Sequence, residues 1–168
     1  MPSVKIKDGK LLIARYGAFG LDGGITDYGV RQISAIALSF RKIVENTEVV
    51  IFHHPWRGAS ESALIFGKFL PRSEIRPCDL LEFDRFRFQD NETHFHHLIG
   101  EIFPEFRKGK FVVALCPFDF LWVFASYLPP LLGHRAIGLS QREVSELKIH
   151  NGRAIYVNTG DWRGKVLP

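Results

Sequence analysis

The chain has 168 residues, enough for one domain with a sizeable core, and a hydrophobic content of 46% that fits a globular protein and excludes a disordered or fibrous one. Lysine and arginine exceed aspartate and glutamate by four, but no basic run is longer than two, which argues against a nucleic-acid footprint, since that requires clustering. No stretch reaches the roughly 18 apolar residues of a membrane span, and no signal-peptide core follows Met1, so the expectation is a single cytoplasmic domain over residues 1–168 without a membrane partner.

The first element expected is the run from Leu11 to Ala14, which ends in Arg15, Tyr16 and Gly17. Such a run reads as a buried parallel strand that delivers Arg15 and Tyr16 to its carboxyl end, where open α/β sheets place their ligand sites. Thr26 is the expected N-cap of a helix over residues 27–45, in which Val30, Ile33, Ala37, Phe40 and Val44 recur at helical spacing. Residues 48–52 are short and β-branched and read as a second strand, followed by His53, His54 and Pro55. A helix over residues 56–70 is stopped by Pro71, and a short strand is expected near Ile75.

Residues 81–91 mix charges and phenylalanines without a period and read as a loop or lid. Phe83 to Phe88 sets phenylalanines beside arginines, as a surface for a protein partner would, or as core packing beneath the loop. Asp90 or Asn91 caps a helix whose stripe is Phe95, Leu98, Ile99, Ile102, Phe103 and Phe106. Gly109 ends it, with a kink expected at Pro104. Residues 110–116 read as a strand broken by Pro117, and residues 118–128 as a buried helix. Two alternating runs, 145–149 and 154–158, flank Asn151-Gly152 and read as a hairpin. This order of elements implies an α/β domain with a mixed sheet, parallel in its centre.

Four stretches, taken in order, resemble the histidine phosphatase superfamily, especially its short phosphohistidine-phosphatase members. Arg15-Tyr16-Gly17 stands where that family carries Arg-His-Gly, and the run from Ile25 to Gln32 matches its Leu-Thr-x-x-Gly-x-x-Gln pattern. His54-Pro55-Trp56-Arg57-Gly58-Ala59 follows the second strand, where the family has Ser-Pro and then Arg-Ala. Val112 to Pro117 aligns with the strand that leads to the family's second histidine. The resemblance implies a three-layer α/β/α sandwich of phosphoglycerate-mutase type, with a mostly parallel mixed sheet and a C-terminal β-hairpin. It also implies a site in which the nucleophile is replaced by Tyr16, the second arginine by Gly58 and the second histidine by Cys116. Arg15 alone remains of that quartet.

Those replacements bear on chemistry. A neutral imidazole attacks phosphorus near pH 7, whereas a phenol, with a pKa near 10, is almost fully protonated there. Phosphoryl transfer also depends on donors around the equatorial oxygens, and a missing arginine and imidazole remove donors as well as charge. Arg15, His53, His54 and Arg57 remain as candidates for holding a phosphate-like anion or a phosphorylated ligand. The implied function is a pseudophosphatase that binds a protein partner or such an anion. The alternative is an active phosphatase, on a phosphomonoester or phosphohistidine, with a rearranged site.

Two further groupings are weaker. His94, His96 and His97 lie beside core-facing Phe95, Leu98 and Ile99, so they project to different flanks and no metal site is expected. Cys116 with Asp119 lacks the surroundings of a thiol nucleophile, and Cys78 and Cys116 fit no redox or metal spacing, so both read as buried free thiols. No cofactor is expected.

Overall fold

The computed structural model describes residues 10–81, 91–117, 120 and 154–158. Five strands form one sheet: β1 (Lys10–Arg15), β2 (Val49–His53), β3 (Ser73–Pro77), β4 (Phe111–Cys116) and β5 (Ala154–Asn158), in the order β3-β2-β4-β1-β5. The first four are parallel, and β5 pairs antiparallel with β1. Helix α1 (Asp27–Val44) joins β1 to β2, α2 (Arg57–Lys68) joins β2 to β3, and α3 (Asn91–Arg107) precedes β4. The expected α/β architecture, with a mixed sheet parallel in its centre, is therefore observed.

Why these strands are central is legible in their side chains. Every residue of β2 and β4 is buried, as a strand covered on both faces requires. On one face Leu12, Ala14, Val49, Ile51, Val113 and Leu115 pack against Ile33, Ile36, Ala37 and Phe40 of α1 and Ala63 and Phe66 of α2. Strand alternation turns Leu11, Ile13, Val50, Phe52, Val112 and Ala114 to the other face, where α3 packs on β4 and buries Phe95, Leu98 and Ile102. Strand β3 is exposed along much of its length and ends at Pro77, which an edge strand tolerates.

Element boundaries follow the hydrogen bonds. Thr26 caps α1 as expected, its side chain accepting from the Gly29 N–H. Strand β2 runs to His53, one residue further than expected, because the His53 carbonyl still accepts from the Cys78 N–H at 2.7 Å. Helix α2 stops at Lys68, since Phe69 and Leu70 donate to Phe66 and Gly67 and tighten the last turn. Helix α3 continues through Pro104 to Arg107. The proline removes a donor to the Gly100 carbonyl, and both residues lie on the exposed side of the helix. The expected loop over 82–90, the helix over 118–128 and the hairpin's first strand, 145–149, lie outside the described residues.

His94 is partly buried, not solvated, and its Nε2 lies 2.8 Å from the Leu80 carbonyl, tying α3 to the short 3-10 turn Asp79–Leu81. Among the described residues no three metal-ligating side chains converge, and no helix is long and apolar enough to cross a membrane.

A charge cluster runs between β3, the end of α3 and the start of β4. Glu105 of α3, buried at 2% exposure, meets Arg76 at 2.7 Å, Lys108 at 3.0 Å and Lys110 at 3.2 Å. Burial works to raise its pKa, but hydrogen bonds from the three cations outweigh this and lower it to about 2. A carboxylate depressed in the folded state stabilises the fold above its unfolded pKa and loses that contribution as pH falls toward the folded value. The melting temperature should thus fall between about pH 5 and pH 2, and Glu105→Gln should flatten that slope while costing about 2 kcal/mol at neutral pH. Thermal melts of both proteins across this range check it.

Candidate functional site

Strands β1 and β4 are neighbours in register, with Arg15 paired to Cys116 at their carboxyl ends. The connection from β1 leaves by α1 on one face, and β4 is entered from α3 on the other. Open α/β sheets place their ligand crevices where connections diverge in this way. A pocket of about 160 Å³ opens there, lined by Arg15, Tyr16, Phe19, Cys116 and Pro117 together with the backbone of Gly17 and Ala18. Cys116 is fully buried, and burial pushes its thiol well above the ordinary value, with Arg15 offsetting only part of that shift. It is a neutral, packed thiol at physiological pH, as is Cys78, raised chiefly by burial as well.

The loop after β1 is fastened by side chains from both helices. The Gly17 N–H donates to Ser62 Oγ at 3.0 Å, and that hydroxyl donates to the Gly58 carbonyl at 2.7 Å. The Ala18 N–H donates to Gln32 Oε1 at 3.0 Å, and the Ala18 carbonyl accepts from both the N–H and the hydroxyl of Thr26. Backbones approach so closely that a Cβ on Gly17 would stand 2.5 Å from the Gly29 carbonyl oxygen. Gly17, Thr26, Gly29 and Gln32, the residues that carry the motif resemblance, therefore act here as fasteners.

Three rings crowd the pocket mouth. Tyr16 lies 5.5 Å from Trp56 and 5.9 Å from Phe19, centroid to centroid, and Phe19 meets Trp56 edge to face at 4.5 Å. Trp56 also covers Gly58: a Cβ on Gly58 would stand 2.6 Å from the Trp56 ring and 3.1 Å from the Gly23 carbonyl oxygen. The direction in which a side chain at position 58 would leave the backbone is filled by indole. Sequence reasoning missed Trp56 and Phe19 as parts of this site; the available signal was a large ring two residues before a glycine at a helix start.

The remaining candidates lie elsewhere. His53 sits on the α1/α2 face of the sheet, opposite to the face of Arg15, because strand alternation and register place it beside Leu115. Its Nδ1 is 2.8 Å from the His54 carbonyl oxygen, which can only accept, so Nδ1 carries the proton. Ser60 Oγ stands 3.4 Å from the same nitrogen and donates to the Pro55 carbonyl instead, so the two do not form a nucleophile and base. His54 Nδ1 accepts from the Trp56 N–H at 3.2 Å and serves the start of α2. Arg57 is exposed, paired with Glu61 at 2.9 Å and Asp22 at 3.5 Å, and lies over Gly24. Glu61 is lowered by the Ile25 N–H first and by Arg57 next, so it fastens the 20–25 loop to α2. The structure thus brings Arg15, Tyr16 and Cys116 together; His53, His54 and Arg57 are not among the described residues lining the pocket.

No family model matches the sequence, and no curated protein matches it. Solved structures do match. A phosphoglycerate mutase from Plasmodium falciparum superposes with a TM-score of 0.58 at 15% identity, over 95% of this chain and 89% of that one. A mycobacterial glucosyl-3-phosphoglycerate phosphatase complexed with VO3 gives 0.58 at 14%, over 94% and 97%. The protein histidine phosphatase SixA complexed with tungstate gives 0.51 at 15%, over 70% and 74%. The chain has the phosphoglycerate-mutase-like fold.

The contact between Gly58 and Trp56 is testable on its own. Gly58→Ala should lose about 1 kcal/mol net, because overpacking against indole outweighs the helix propensity gained. Combining it with Trp56→Ala should cost less than the sum of the two, as chemical denaturation of the four proteins would show.

Proposed function

We propose that this chain is a histidine-phosphatase-like protein that has given up phosphohistidine chemistry and binds a phosphate-like anion at Arg15. The observation that carries this reading is the indole of Trp56 over Gly58. It occupies the room from which the resembling family's second arginine would reach the phosphate, on a chain where the nucleophile's place is held by Tyr16. Cys116 stands where the second histidine would be, buried and neutral, and supplies neither charge nor a strong donor. The Gly17 and Ala18 N–H groups are engaged by Ser62 and Gln32, so they do not offer a ready oxyanion nest.

What is left favours binding over turnover. A guanidinium such as that of Arg15 is a planar fork of donors that suits a tetrahedral oxyanion. Two of the similar structures hold VO3 and tungstate, oxyanions of this kind. An arginine lining a small pocket suffices for capture, whereas transfer also needs a nucleophile and several charge-stabilising donors. A phosphorylated ligand or protein bearing such a group is the partner this chemistry admits.

A thermal-shift titration with phosphate and vanadate, on the wild-type chain and on Arg15→Ala, tests the reading. At about a hundred times its dissociation constant the anion should add roughly 2.7 kcal/mol to the wild type and nothing to the variant. No phosphate release from p-nitrophenyl phosphate above the level of Arg15→Ala is expected. Turnover that Arg15→Ala abolishes would instead favour an active phosphatase with a rearranged site, and no shift in either protein would remove the anion from the account.

A further inference from the structure

Phe19 is at the mouth of the Arg15 pocket, keeps 50% of its surface exposed, and is held from behind by Trp56 at 4.5 Å and from the side by Tyr16 at 5.9 Å. A ring so placed is costly to leave wet and is rigid, since two aromatic neighbours restrict it. The loop that bears it is fixed at both ends, by Ser62, Gln32 and Thr26 before Gly20 and by Glu61 and Arg57 after it. It is a preformed platform, and preformed platforms bind without ordering cost.

The pocket behind the platform is small. Its volume of about 160 Å³ is close to that of a cavity that holds benzene, so it takes a tetrahedral head group together with part of what that head carries. Phe19 and Tyr16 line the same pocket as Arg15, so a group attached to a head held there meets their rings. We propose that the site selects organophosphates or phosphonates whose phosphorus bears a flat aromatic ring. The anionic head is held by Arg15, and the ring stacks on Phe19. This rests on the anion reading above and extends it to the ligand's organic portion.

The choice of a flat ring over a merely apolar group comes from the geometry of the three side chains. Their centroid separations of 4.5–5.9 Å and tilted or edge-on planes are those of attractive quadrupolar packing, which a further planar ring extends and a puckered ring does not. Rim arginines add nothing to this discrimination, because Arg57 is committed to Glu61 and Asp22.

Isothermal titration with methylphosphonate, cyclohexylphosphonate and phenylphosphonate separates the possibilities. The wild-type chain should bind phenylphosphonate about five times or more tighter than cyclohexylphosphonate. Phe19→Ala, at a half-exposed position, should bring that ratio within twofold. Arg15→Ala should weaken all three. Equal binding of the cyclohexyl and phenyl compounds, or a preference that survives Phe19→Ala, would overturn the aromatic selection and leave the anion site standing. Failure of all three to bind would overturn both.

Discussion

The site depends on a backbone contact. Gly17 and Gly29 let the loop after β1 lie directly on the first turn of α1, with no room for a Cβ at either position. That approach lets Ala18 exchange hydrogen bonds with Gln32 and Thr26, and it sets where Tyr16 and Phe19 stand relative to Trp56. A side chain at either glycine would lift the loop, and the rings would part. The pocket at Arg15 is therefore shaped as much by what is missing from two residues as by what is present on the others.

Within this frame, rings crowd the mouth of the pocket. A phosphoryl-transfer site concentrates cations and donors around one phosphorus atom, and cations so concentrated repel one another until the substrate arrives. An aromatic cluster of Tyr16, Phe19 and Trp56 has no such tension: each ring satisfies its neighbours whether or not a ligand is present. Such a mouth is stable when empty and undemanding when filled. Those properties accord with the anion receptor that we propose.

The fold could be read from the chain because its strands obey simple rules. Leu11 to Ala14, Val49 to Phe52 and Phe111 to Leu115 are continuous apolar runs of strand length, and only a sheet covered on both faces has use for them. Thr26 announced its helix by capping chemistry. The place of Arg15, Tyr16 and Cys116 at one end followed from strand direction alone. Trp56 was not legible, since its role depends on the empty Cα of Gly58 and on how the 17–25 loop returns toward α2, neither of which has a periodic signature. His53 next to His54 looked like a pair in sequence. Alternation across the sheet puts His53 on the face opposite to Arg15, and a linear reading cannot weigh that before the register is known.

The two ends of the sheet are fastened by different forces. At the carboxyl end ring contacts, to which added salt is nearly indifferent, stand beside the exposed Arg57–Glu61 and Arg57–Asp22 pairs. At the amino end an ionic lattice runs from the exposed Arg72–Glu48 pair at 2.5 Å inward to Glu105. Ionic strength screens the outer members of that lattice within a Debye length of about 8 Å at physiological salt and reaches the buried carboxylate far less. In brine the exposed pairs at both ends, Arg72–Glu48 and Arg57–Asp22, would thus weaken first, while the ring contacts at the pocket and the buried carboxylate of Glu105 would be the least disturbed.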